Sequence, residues 1–361
     1  MENPVGWAAA ERVAVWVAQG KTRFGISTDP LDAAAWSALD DDFAEATTIA
    51  ESLVVEATGL RPATGPARAH VVDRAGWVRN NLDSFRRLLG PVLQQLEHRP
   101  VSPAMERVTR QVSGAQLGVV LGWMSTRVLG QYDLLIADGD AGDVVSYVGP
   151  NIVALERRNG FPPKAFRLWI ALHEVTHRCQ FAGVPWLHAH FLSLVEEGLS
   201  TTVPDPRRFA EALRRAVAAA RGGHSPLDDV GMLGLMAPPE QLAVLRQIAA
   251  LMSLLEGHGD ITMDRAGADA VGEADWFAHT LRERRKRASA PARLLQQLTG
   301  IDAKLRQYQQ GESFIEAVEA AGGHELFARV WDGPEALPTM EEIRCPAAWV
   351  ERMGPARLVS G

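Results

Sequence analysis

At 361 residues, 47% of them hydrophobic, the chain is long enough to fill one large core or two ordinary ones. Its 37 Lys and Arg stand against 44 Asp and Glu, a net charge of -7, which argues against a general attraction to nucleic acid or to an anionic membrane. The two cysteines, Cys179 and Cys345, form no metal-type pair, so a disulfide scaffold is not indicated and a reducing cytoplasm fits.

The stretch from Met1 to Val17 has no basic leader, and Glu11-Arg12 interrupts its apolar residues, so it does not read as a signal peptide. Residues 7 to 19 and 31 to 58 show helical spacing, the second run preceded by the capping pair Asp29-Pro30. Gly59 to Pro66 is a loop. A helix is expected from Asp73 to about Glu97, with Leu82, Phe85, Leu88 and Leu89 inward; Pro100 to Pro103 breaks it.

The next helix is expected from about Met105 to Leu129. Its uncharged run, Gln111 to Thr126, would extend about 24 Å as a helix, short of the roughly 30 Å hydrocarbon core of a membrane. Gly114, Gly118 and Gly122 recur every four residues along it, a smooth face on which another helix can pack closely.

After Gly130 the pattern changes. Tyr132 to Ile136 and Val144 to Val148 read as short strands separated by the turn Asp138 to Asp143, and Ile152 to Leu155 reads as a third. The acidic turn lacks the ligand spacing of a calcium loop. The fold class expected is mainly α with a small β element near 132–155. Residues 1–130 read as an N-terminal helical region and 131–361 as a catalytic region, one continuous domain being the alternative.

Pro162-Pro163 opens and Gly183 closes the helix that carries the chemistry. Within it, His173-Glu174-Val175-Thr176-His177 is an HExxH motif. Residues four apart on a helix share a face, so His173 and His177 can hold one Zn2+ ion, and Glu174 beside them can take a proton from water as general base. Helices then follow from Trp186 to about Ser200 and from Arg207 to Arg221. Gly222 to Pro239, rich in Gly, Pro and Met, reads as a lid-like segment. An amphipathic helix from Pro239 to about Gly257 is expected to pack on the motif helix. Further helices are expected near 273–287, 291–308 and 311–331. The basic run Arg282 to Arg287 reads as a solvated helix end, with no nucleic-acid partner implied.

A zinc site needs a third protein ligand. The metzincin extension would require Gly at 180 and His at 183, where this chain has Gln180 and Gly183. Glu197, 20 residues after His177, suits a gluzincin arrangement, but Thr201 stands where the orienting Asp would follow. Glu256 is preferred. Asp260 lies one turn after it on the same face, as ligand and orienting carboxylate should. His258 competes for the role but points nearly opposite if the helix continues through Gly257. Tyr308 is the candidate donor to a developing oxyanion, with His279 and His324 behind it, and the strand ending at Tyr147-Val148 is the candidate to pair with an extended peptide.

The stretches LGQYDLLIAD, YVGPNIVALE, LHEVTHRCQFAGVPWL, LMSLLEGHGDITMD, DAKLRQYQQGESF and LPTMEEIRCPAAWVERM resemble the DUF2342 (zincin-like type 2) family of zinc-dependent metalloproteases, one branch of which is labelled coenzyme F420 biosynthesis-associated. The resemblance implies a largely helical zincin-like fold, a metal on His173 and His177, and Glu174 as the catalytic carboxylate. The expected activity is hydrolysis of a peptide or protein substrate. A zinc-stabilised scaffold that binds a partner without catalysis is the alternative.

Overall fold

The structure is a computed structural model. It describes residues 5–19, 30–96, 103–133, 143–200, 239–286 and 301–354. The expected helix at 207–221, the lid-like segment at 222–238, residues 291–300 and most of the acidic turn lie outside the described residues. The chain divides into two compact units: Met1–Gly183 with Thr262–Lys286, and Val184–Ile261 with Arg287–Gly361.

The first unit is helical around a small sheet. Helix α1 (Trp7–Ala18) and α2 (Ala33–Thr58) come first, followed by β1 (Arg68–Val72), α3 (Arg74–Leu96), α4 (Pro103–Ser125), β2 (Gly130–Tyr132) and β3 (Val144–Val148). Then come α5 (Gly149–Asn159) and α6 (Pro163–Gly183). Asp32 caps α2, its carboxylate accepting from the Ala35 amide at 2.8 Å, and left-handed Gly59 (φ 72°) closes it.

The glycine-spaced face of α4 packs on α1 as its spacing predicts. A Cβ at Gly114 would lie 2.2 Å from the Gly6 carbonyl oxygen, and one at Gly118 or Gly122 would lie 2.5 Å from that of Ala10 or Ala14. Backbone therefore meets backbone along the whole crossing. Ala10, Ala14, Val72, Trp77, Val78, Leu82, Leu121 and Val148 form the core beneath it.

The sheet has the order β1-β3-β2. β1 runs parallel to β3, pairing Arg68 with Val144 through Val72 with Val148, while β2 is antiparallel to β3, pairing Gly130 with Tyr147. Two expectations are corrected here. Strand β2 lies at 130–132, ahead of the predicted run from Tyr132. Residues 152–155 are not a third strand but the middle of α5. Ile152, Leu155 and Glu156 face inward at helical spacing, Pro150 sits in the first turn, and left-handed Gly160 ends the helix. Asn151 ties this helix down: its amide donates to the carbonyls of Ser125 and Val128, and its oxygen accepts from Arg74 Nε at 2.7 Å. A short apolar run cannot by itself distinguish strand from buried helix, and here the caps decided.

The second unit holds α7 (Leu187–Ser200), the larger part of α8 (Pro239–Gly267), α10 (Ile301–Ala328), two 3-10 turns, α11 (Met340–Arg344) and α12 (Pro346–Met353). Helix α8 runs ten residues past the predicted end at Gly257, and its last turns, from Thr262, belong to the first unit, as does α9 (Ala274–Lys286). The separate helices expected at 291–308 and 311–331 are, over the described residues, one helix broken at Gly322-Gly323. Leu254, Phe314, Ile315, Val318, Phe327 and Trp349 fill the core. Helices α8 and α10 cross at two glycines: a Cβ on Gly311 would lie 1.9 Å from the Ser253 carbonyl oxygen, and one on Gly257 would lie 2.4 Å from the Gly311 carbonyl carbon. Among the described residues no helix is long and apolar enough to cross a membrane.

Candidate metal centre

Helix α6 is buried on nearly every side. Leu172, Val175, Thr176, Arg178, Cys179 and Gln180 are buried, whereas His173, Glu174 and His177 are only half-buried. A core helix that keeps three polar side chains open along one stripe is a helix with a task on that side. The Nε2 atoms of His173 and His177 stand 3.2 Å apart, with the rings edge-on at 4.7 Å between centroids. Two nitrogens each about 2.0–2.1 Å from zinc at a tetrahedral angle would be about 3.3 Å apart, so the pair already has the spacing that one ion requires. His177 Nδ1 lies 3.0 Å from Gln180 Oε1; a proton on Nδ1 donates to that oxygen and leaves the Nε2 lone pair for a metal.

Glu174 lies over the backbone of Gly130, the first residue of β2. A Cβ at position 130 would come within 2.5 Å of Glu174 Cγ and 2.8 Å of its Oε1. Nothing local in the sequence marks Gly130 for this role, because its partner lies 44 positions later in the chain. Beside it, Tyr147 is fully buried, stacked on Phe43 at 4.0 Å between centroids and hydrogen-bonded to Thr47 through its hydroxyl at 2.7 Å. Burial pushes this phenol far up, with the Glu174 charge adding to the shift and the Thr47 hydrogen bond opposing it. Tyr147 is thus a neutral prop behind the sheet. The expectation that its strand receives a peptide is also corrected, for β3 is the central strand and both its edges are taken. The edge strand nearest Glu174 is β2.

Two buried arginines clamp α6. Arg167 makes a bidentate pair with Glu156 of α5, at 2.8 and 2.9 Å, and also bonds Asp42 of α2. Arg178 is fully buried. It donates to both Asp143 oxygens at 2.7 and 2.6 Å, to Glu51 of α2 and to the Gly65 carbonyl. Because Asp143 immediately precedes β3, this cluster fixes the motif helix against the sheet as well as against α2. The neighbouring Cys179 thiol is pushed up to about 12, chiefly by burial, and stays protonated rather than serving as a thiolate ligand.

The remaining candidates lie mostly in the second unit. Glu256 is buried in α8, 2% exposed, immediately before the Gly257–Gly311 crossing. The helix is continuous, so Asp260 shares its face. His258 is also buried, but among aromatic rings, its ring 5.6 Å from that of Phe327 and 5.3 Å from that of Trp331. Glu197 on α7 is exposed, as are His324 and, in the first unit, His279. Tyr308 lies on α10 one turn before Gly311, and its side chain is outside the described ones. Sequence reasoning missed Gly130 and the hydrogen bond of Gln180. The second carried a signal, since i and i+3 are neighbours on a helix.

Residues 5–350 match the family model described as zincin-like metallopeptidase. Among solved structures, one from Chloroflexus aurantiacus, titled "a putative hydrolase with a novel fold", is similar with a TM-score of 0.68 and 31% sequence identity, covering 97% of this chain and 98% of that one. A comparison with curated proteins finds no match.

Proposed function

From the zincin-like metallopeptidase family, to which the chain belongs, we propose that it is a zinc-dependent hydrolase acting on a peptide or protein substrate in the cytoplasm. The observation that carries this reading is the 3.2 Å spacing of the His173 and His177 Nε2 atoms on the same stripe as a half-buried Glu174. We assign the metal to His173 and His177 and, because Asp260 follows Glu256 by one helical turn as an orienting carboxylate should, to Glu256 as third ligand: two imidazoles and one carboxylate, the donor set of a gluzincin-like site. Asp260, on the face of Glu256, is assigned as an orienting carboxylate and His258 as a packing neighbour.

Zinc, when bound, supplies Lewis-acid chemistry: it lowers the pKa of water and polarises a carbonyl oxygen. The chain's own residues do the rest. The Glu174 carboxylate accepts the proton of the attacking water and returns it to the leaving amine, work for which its half-buried position beside the Gly130 backbone holds it. The outer edge of β2 pairs with no strand among the described residues and offers its backbone groups to an extended peptide. Tyr308 is assigned as a donor to the oxyanion of the tetrahedral intermediate. An intact Glu174 has no use in a purely structural zinc site, which four protein ligands close.

The experiment compares wild type with Glu174→Gln for bound zinc and for cleavage of a broad peptide library. Equal zinc in both proteins with cleavage only in wild type is the expected result. Identical behaviour of the two toward the library overturns the peptidase reading.

A further inference from the structure

We propose that Gln180 is the positioning residue of the metal centre, holding His177 in the tautomer that presents Nε2 to the ion; this rests on the metal-hydrolase reading above. Gln180 follows His177 by one turn of α6, its Oε1 lies 3.0 Å from His177 Nδ1, and it is fully buried. A buried amide cannot be replaced by bulk water as a hydrogen-bond partner, so the tautomer of His177 follows from which end of the amide it meets. With Oε1 toward the ring, the proton sits on Nδ1 and the Nε2 lone pair points toward Nε2 of His173. With the NH2 end toward the ring, the proton would sit on Nε2 and block the ligand position. Position 180 is also where the metzincin pattern carries a glycine, so one of the two residues that set this chain apart from that pattern, Gln180 beside Gly183, supports its second histidine.

Ligating histidines commonly donate their outer N–H to an acceptor, and loss of that acceptor typically weakens metal binding by about 10–100-fold. The test measures zinc dissociation constants of the full chain by competition with a chromogenic chelator, with metal-free melting curves to establish folding. The variants are Gln180→Met, which keeps length and burial but accepts no hydrogen bond, and Gln180→Glu, which can only accept. Gln180→Met is expected to bind zinc about 10–100-fold more weakly than wild type, and Gln180→Glu at least as tightly. Unchanged affinity in Gln180→Met, or a loss in Gln180→Glu equal to that in Gln180→Met, overturns the proposal. Should Gln180→Met fail to fold, Gln180→Glu decides alone: affinity at or above wild type supports the role, and weaker binding overturns it. A wild type that takes up no zinc overturns the metal reading itself.

Discussion

The side chain of Glu174 occupies the space that any Cβ on Gly130 would need, with Glu174 Cγ 2.5 Å and Oε1 2.8 Å from that position. The carboxylate assigned as general base is therefore held by the absence of a side chain on an edge strand. A Gly130→Ala substitution must move one of them. Since a displacement of about 1 Å at a catalytic group can cost on the order of 100-fold, Gly130→Ala is expected to lower kcat by roughly 10- to 100-fold. Bound zinc should stay at the wild-type level, because the three heavy atoms nearest to that Cβ position all belong to Glu174. Parallel zinc and rate measurements check this, and an unchanged rate would show that Glu174 is not positioned from the sheet.

The third ligand separates two variants by burial. Glu256 is 2% exposed and Glu197 is exposed. Glu256→Ala is expected to lower zinc occupancy to near zero after dialysis, while Glu197→Ala keeps the wild-type content. The opposite pattern would move the assignment to α7.

Where α4 crosses α1, a Cβ at Gly118 would lie 2.5 Å from the Ala10 carbonyl oxygen and 2.8 Å from Val13 Cβ. Neither partner is the flexible end of a side chain. Gly118→Ala therefore forces the helices apart and is expected to destabilise the first unit by about 1–3 kcal/mol, despite the better helix propensity of alanine. Denaturant unfolding monitored by circular dichroism measures it. A gain in stability would mean that the crossing is looser than its backbone distances.

Stability of the second unit carries a pH dependence through Glu342. Burial alone would raise its pKa. Hydrogen bonds from Arg352, at 2.6 and 3.0 Å, and from the Thr339 backbone, together with the Arg352 charge, outweigh burial and lower it. A lowered folded-state pKa gives stability that is present above the ordinary glutamate value and is lost as pH falls through the folded one. Wild type is thus expected to lose more stability than Glu342→Gln as pH drops below the usual carboxylate range, while at neutral pH the variant is the less stable. Melting curves across acid pH follow the difference, and parallel curves for the two proteins would sink the assignment.

Much of the helical framework is legible in the amino-acid sequence, because helices announce themselves locally. The run from Pro163 to Gly183, the helical spacing of 7–19 and the glycines of α4 all follow from interactions within a few residues. The sheet was harder. Strand β1, Arg-Ala-His-Val-Val, is too short and polar to stand out, and its partner β3 begins 72 residues beyond the end of β1. The apolar Ile152 to Leu155 fits strand and helix equally until Asn151 and Gly160 are seen to fix the ends of α5.

By itself the sequence determined the spacing of His173, Glu174 and His177, because the geometry of one helix places residues four apart on one face. It equally determined that Gln180 could reach His177. Only the tertiary structure decided that Gly130 lies beneath Glu174, that β2 rather than β3 is the edge strand, that Glu256 is buried while Glu197 is not, and that His258 belongs to an aromatic cluster. Each of these depends on segments distant in sequence meeting in space, through strand register and helix crossing, and no local pattern encodes which distant partner will arrive.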